Sequence, residues 1–264
     1  MDISHQIKEF RDRGFSSEQA EVIALMRLAA GVLFQAFPDL FVLFGGATLL
    51  LFQHSTRSSD DLDLLMRTHN VPPRAEIEEA LRIGLAPAAE ALNLGPLQFE
   101  EEPASAHHGL RLWMKAADGA KLFRIDLSRF GSVLSSMVEE HQIELDAGQV
   151  ATVQAPNRNH LLLQKAECFL LRRVIKVRDA FDIWHLTRDC GCTLDQNLKA
   201  HLSDTLMSDE LEAADIVKRI QQVDERRCKA ELAPLIGRQD FAELERQGFQ
   251  PLRDALLELY ADWL

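Results

Sequence analysis

The chain has 264 residues, 47% of them hydrophobic, which suffices for one large or two modest domains with a sizeable core and excludes wholesale disorder. Its formal net charge of -12 excludes a general nucleic-acid coat protein, though not a local basic groove. The N-terminus MDISHQIKEFRDRGF lacks the apolar centre of a signal peptide, and no apolar run is read as approaching a bilayer span, so the expectation is a cytoplasmic chain with no membrane partner.

Ser16 to Pro38 is predicted as a helix, because Ser16 and Gln19 have capping-box spacing and apolar residues recur through VIALMRLAAGVLFQAF. Phe41 to Phe44 is a short apolar strand ended by Gly45-Gly46, and Ala47 to His54 is helical. Asp61 to Met66 alternates, with Leu62, Leu64 and Met66 on one face and Asp61 and Asp63 on the other. Pro72-Pro73 opens a helix to about Leu92. Residues 109–116 and 121–128 form a hairpin, for which Asp118-Gly119 signals a two-residue type I′ turn. That turn pairs Ala117 with Ala120, Met114 with Phe123, Leu112 with Ile125 and Arg111 with Asp126. Segment 142–156 holds two short strands around Asp146-Ala147-Gly148. Helices follow at Asn159 to about Arg173 and Arg178 to about Arg188, read as merged or separate, and amphipathic helices fill 194–264. The expected organisation is an α/β core with N-terminal helices over 1–155 and a helical region over 156–264 packed on it.

Four cysteines, at 168, 190, 192 and 228, suit a reducing compartment rather than a disulfide scaffold. The Cys190/Cys192 pair near His185 is weak as a metal signal, since one C-x-C lacks a second pair.

Asp61 and Asp63 leave the same strand face. Two carboxylates so close repel unless a cation lies between them, and oxygen-only donors favour magnesium or manganese. Asp126, on another strand, would complete a three-acid site suited to in-line phosphoryl transfer. On D-x-D alone a solvated sheet edge is an equal reading. Gly45-Gly46 shifts the balance, because glycines between a strand and a helix let backbone N–H groups cradle phosphates. Arg57 and Ser59 add a cation and a hydroxyl beside them. Between Leu161 and Arg178 five basic residues stand against the single acid Glu167. On one continuous helix Lys165, Arg172, Lys176 and Asp179 would share a polar stripe of roughly 60°.

Gly45-Gly46-Ala47-Thr48-Leu49 followed by Arg57, Ser59, Asp61 and Asp63 resembles the signature of the AbiEii-type nucleotidyltransferase toxins, within the polymerase-β-like nucleotidyltransferase superfamily. Asp126 in FRIDLS matches the family's third acid. LLLQKAECFLLRRVIKVRDAFDIWHL matches its later motif through Lys165, Arg178-Asp179 and Phe181-Asp182. The resemblance covers roughly residues 40–190. It implies an α+β fold with a polymerase-β-like core and a magnesium-dependent transfer of a nucleotide from an NTP. The metal residues would be Asp61, Asp63 and Asp126, and the nucleotide-binding residues Gly45, Gly46, Arg57, Ser59 and Lys165. Asp179 would orient Lys165 or the acceptor, with Arg172, Lys176 and Arg178 on the acceptor's phosphates. It further implies a toxin with an antitoxin partner, whose acceptor is an RNA such as the 3′ end of tRNA. Two other readings use the same core: a small-molecule, antibiotic-type nucleotidyltransferase and a non-catalytic binding module.

Overall fold

The structure is a computed structural model that describes residues 3–68, 70–103, 108–128, 137–146 and 148–264. The chain folds as two compact units. One comprises Met1–His54 and Ser58–Pro156, the other Ser55–Arg57 and Asn157–Leu264.

The first unit is built on a mixed sheet. After α1 (Ser4–Asp12) comes α2 (Ser17–Ala36), whose start is fixed by a capping box: Ser16 Oγ accepts from the Gln19 amide while Gln19 reaches back to the Ser16 amide. Twelve of its twenty residues are buried. Here the structure corrects the sequence expectation, because α2 is long and apolar enough to cross a membrane. In this fold it is a core helix, packed against α4 (Arg74–Ala91) and the ribbon of β6 (Val138–Asp146) and β7 (Gln149–Pro156). Of the Asp146-Ala147-Gly148 turn that joins the ribbon, Ala147 lies outside the described residues.

The five-stranded sheet comprises β1 (Phe41–Phe44), β2 (Asp61–Met66), β3 (Gln98–Glu101), β4 (His108–Lys115) and β5 (Lys121–Ser128), in the order β1-β2-β5-β4-β3. Only β2 and β5 run parallel; the other neighbours are antiparallel. Alternation buries Leu62, Leu64 and Met66 of β2 completely, and Leu112, Met114, Phe123 and Leu127 of the hairpin likewise.

The hairpin turn differs from the type I′ expectation. Gly119 donates to the Ala116 carbonyl at 3.0 Å and Ala116 to that of Ala120 at 2.9 Å, so three residues, Ala117, Asp118 and Gly119, form the loop. Gly119 alone takes the left-handed conformation, with φ +88°, whereas a type I′ turn needs positive φ at Asp118 as well. A register shift between Met114 and Lys115 absorbs the extra residue. Beyond it the anticipated pairs stand: Met114 with Phe123, Leu112 with Ile125, and Arg111 with Asp126.

The second unit is helical: α5 (Arg158–Leu171), α6 (Val177–Arg188), α7 (Gln196–Ser208), α8 (Ala213–Gln221), α9 (Glu225–Leu232), α10 (Arg238–Arg246) and α11 (Gln250–Leu259). Asn157, Asp195 and Asp224 cap α5, α7 and α9 by accepting from backbone amides three residues on. Fully buried Tyr260 donates to the Ala166 carbonyl at 2.9 Å, tying the end of the chain to α5.

α5 and α6 are separate helices, and this breaks the continuous polar stripe. Arg172 is already extended, at ψ 132°. No glycine or proline marks the break; distant side chains satisfy the freed backbone groups instead. Arg219 donates to the Phe169 and Arg172 carbonyls at 3.2 and 3.0 Å, and Arg227 to that of Ile175 at 2.6 Å. The Val177 amide donates to Glu231 at 2.9 Å.

Candidate active site

Register decides which side chains meet. Because β2 and β5 are parallel neighbours, Asp63 pairs with Asp126 and Asp61 with Arg124. Residues two apart on a strand share a face, so Asp61, Asp63, Arg124 and Asp126 form one polar patch. Arg111, the partner of Asp126 on β4, adjoins it.

Arg124 ties the patch together. Its guanidinium lies 3.0 Å from Asp61 Oδ1 and donates through Nε to Asp126 Oδ1 at 2.8 Å. Arg111 Nε also approaches Asp126 Oδ1, at 3.4 Å. Burial opposes the charge on Arg124, but the hydrogen bond to Asp126 and the nearby carboxylates outweigh it and raise its pKa. Sequence reasoning passed over Arg124, although its spacing of two from Asp126 in KLFRIDLS was a usable signal. Asp126 is buried, at 3% exposure, whereas the Asp61 side chain is 28% exposed.

The two glycines open α3 (Gly45–Phe52), which starts earlier than anticipated. Gly45 has φ +76°, and a Cβ there would collide with Asp63 Oδ2 and lie 3.0 Å from Asp63 Cγ. Glycine is thus required twice, by the backbone conformation and by the close approach of the acid. No side chain caps this helix start, which leaves its first N–H groups for an anion. The Ser59 hydroxyl, half-buried, donates to the Asp61 carbonyl at 3.3 Å.

The remaining candidates lie in the second unit. Arg57, which the sequence suggested as a phosphate contact, is only 3% exposed. It donates to Asp182 through Nε at 2.7 Å and through a terminal nitrogen at 3.1 Å. Lys165 Nζ lies 2.8 Å from the same carboxylate. Burial alone would raise the pKa of fully buried Asp182, yet Arg57 and Lys165 hold it below the usual range. Asp182, not Asp179, is therefore the carboxylate that orients Lys165.

Asp179 sits nearly one turn earlier on α6, also fully buried. Arg172 Nε is 3.1 Å from its Oδ2, but off line, so neither carboxylate oxygen accepts a hydrogen bond. Burial accordingly raises its pKa, against the pull of Lys165 and Arg172. Lys176 is exposed at the start of α6 and Arg178 half-exposed beside it.

The donor set of Asp61, Asp63 and Asp126, all carboxylate oxygen, suits a hard divalent cation, and the glycine cradle around Asp63 leaves its carboxylate at an open helix start. Among the described residues, however, no three acids, histidines or cysteines are drawn tightly enough to enclose a metal. The Arg124 guanidinium supplies the positive charge instead.

The chain resembles solved structures along most of its length. A candidate nucleotidyltransferase of Helicobacter pylori aligns with TM-score 0.56 and 16% identity, covering 94% of this chain and 97% of that one. The JHP933 protein of Helicobacter pylori aligns with TM-score 0.58 and 16% identity, covering 94% of each. At that identity the likeness establishes the fold alone. No curated protein matches the chain. Residues 27–263 match the family described as nucleotidyl transferase AbiEii toxin, type IV TA system. The chain belongs to this AbiEii family of toxin–antitoxin nucleotidyl transferases, and its activity is nucleotidyl transfer.

Proposed function

We propose that the enzyme transfers a nucleotide from an NTP to the 3′ end of an RNA acceptor such as tRNA, with magnesium held by Asp61, Asp63 and Asp126. The observation that carries this reading is the parallel pairing of Asp63 with Asp126 beside the Gly45 turn. It supports an acid patch next to uncapped helix amides, the arrangement that attack on a triphosphate needs.

In this reading the Gly45 and Gly46 amides and the Ser59 hydroxyl donate to the triphosphate. The acceptor hydroxyl attacks the α-phosphorus and gives up its proton, for which Asp126 is the carboxylate in place, the α–β bridging bond breaks, and pyrophosphate leaves. Bound magnesium would offset the charge that develops on the phosphoryl oxygens. Lys165, with one carboxylate partner in Asp182, retains ammonium protons for phosphate. Arg172, Lys176 and Arg178 serve the acceptor's phosphates. The toxin role implies an antitoxin partner, and the expected compartment is the cytoplasm.

Incubating the chain with total RNA, magnesium and each α-labelled NTP in turn tests the proposal. Label should enter small RNAs at the 3′ terminus. Label confined to a low-molecular-weight acceptor, with RNA unlabelled, would make the enzyme a small-molecule nucleotidyltransferase and overturn the RNA assignment.

A further inference from the structure

The last turn of α6 and the loop that follows it gather four side chains that nucleotidyl transfer does not use. His185, 6% exposed, faces Asp189 through Nδ1 at 2.9 Å and Cys190 Sγ through Nε2 at 3.7 Å. Gly191, at φ +63°, reverses the chain so that the Cys192 amide donates to the Leu186 carbonyl at 2.9 Å. That reversal brings the Cys192 thiol within hydrogen-bonding range of Cys190.

The two sulfurs differ in access. Cys190 is half-exposed, whereas Cys192 is 3% exposed and lines a cleft of about 660 Å³ with Trp184, Arg188 and Lys199. The hydrogen bond from Cys192, followed by His185, pulls the Cys190 thiol down to about 5 against the opposing effect of burial. By contrast, burial pushes Cys228 up to about 12. A carboxylate–imidazole–thiol line with a second thiol in reach is an activated nucleophile with its own resolving group.

We propose that Cys190 and Cys192 form a site of reversible oxidation by hydroperoxides, with His185 and Asp189 as the proton relay. The Cys190 thiolate attacks the terminal peroxide oxygen and the O–O bond breaks. Sulfur becomes a sulfenic acid, the peroxide is reduced, and the departing alkoxide or hydroxide takes its proton from the His185 imidazolium. His185 then removes the Cys192 proton. The Cys192 sulfur attacks the Cys190 sulfur and expels hydroxide, which takes that proton back and leaves as water. Two thiols and one hydroperoxide thus give a disulfide, an alcohol or water, and a further water. A bridge between residues two apart is strained, and strained disulfides are the readily reduced ones.

The test uses the full reduced chain and hydrogen peroxide near one equivalent, followed by trypsin and mass spectrometry. Cleavage after Arg188 and Lys199 isolates Cys190 and Cys192 on one peptide. That peptide should lose two hydrogens at least about 10-fold faster than Cys168 oxidises, with Cys228 unchanged, and a dithiol should restore it. In Cys192→Ser the reaction should stop at a dimedone-trapped sulfenic acid on Cys190. Without mutation, the Cys190 alkylation rate should change about 2-fold or less between pH 6 and 8, whereas an ordinary thiol changes about 50-fold or more. Asp189→Asn, at an exposed position, should slow oxidation while the melting temperature stays unchanged. Oxidation of Cys190 no faster than Cys168, or an ordinary thiol pH profile for Cys190, would overturn the proposal.

Discussion

Each unit carries a cluster of acids held by cations, and the two are built oppositely. In the first, Asp61 is partly exposed and leans on Arg124, a strand residue that also holds Asp126. In the second, Asp182 is wholly buried and takes three close nitrogens from Arg57 and Lys165. A partly hydrated acid patch can exchange one cation for another at small cost. A buried carboxylate with two buried cations cannot lose any member cheaply, because each remaining charge is left in a medium of low polarity. The first arrangement suits ligand binding, and the second suits holding Lys165 in one place.

The sharpest way to separate them is to remove the central acid of the buried cluster. Asp182→Ala should cost about 3–5 kcal/mol, since it strands Arg57 and Lys165, and urea unfolding reads it. The effect of Asp182 also has a pH signature. Its pKa is depressed in the folded chain, so its stabilisation is present above the ordinary carboxylate range and is lost only as pH falls below about 4.

Arg124→Gln comes next. It should destabilise the metal-free chain by about 1–2 kcal/mol, less than Asp182→Ala, because Arg111 still faces Asp126 and Asp61 is solvated. Saturating magnesium should recover more of its melting temperature than it adds to wild type, since the cation replaces the lost guanidinium.

Asp179→Asn tests the opposite sign within the buried cluster. The folded pKa of Asp179 is raised, so its favourable contribution is present in acid and is lost as pH rises through that value. The variant should therefore melt higher than wild type at pH 7, and its advantage should shrink as pH falls towards 4. The smallest effect is expected at Lys176→Ala. It should leave stability unchanged and flatten the salt dependence of acceptor binding by about one unit of slope.

Much of the first unit was legible because its signals are local. The period-2 alternation of DLDLLM, the Ser16/Gln19 cap and the Arg111–Asp126 register all follow from near neighbours in the chain. The hairpin loop misled, because Asp118-Gly119 also suits a three-residue loop, and a bulge beyond Met114 then restores the same pairing. The break between α5 and α6 was illegible locally, since Arg219, Arg227 and Glu231 make it tolerable from some fifty residues away. Arg57 misled for a related reason. Its position before the acids suggests phosphate, but Asp182, 125 residues on, claims its guanidinium. The apolar length of α2 shows only in its mean hydropathy, because Glu18, Glu21 and Arg27 interrupt its apolar runs.

In the proposed mechanism the acid patch around Asp63 carries the chemistry, and the cluster around Asp182 holds the fold and keeps Lys165 in place. Single-turnover nucleotide transfer to RNA, measured beside thermal melts on Asp63→Asn and Asp182→Asn, tests it directly. Asp63→Asn should keep its melting temperature and lose transfer by about 10²-fold or more, whereas Asp182→Asn should melt far lower and lose transfer both through unfolding and through a misplaced Lys165. Near wild-type transfer by a folded Asp63→Asn chain in magnesium would contradict the account.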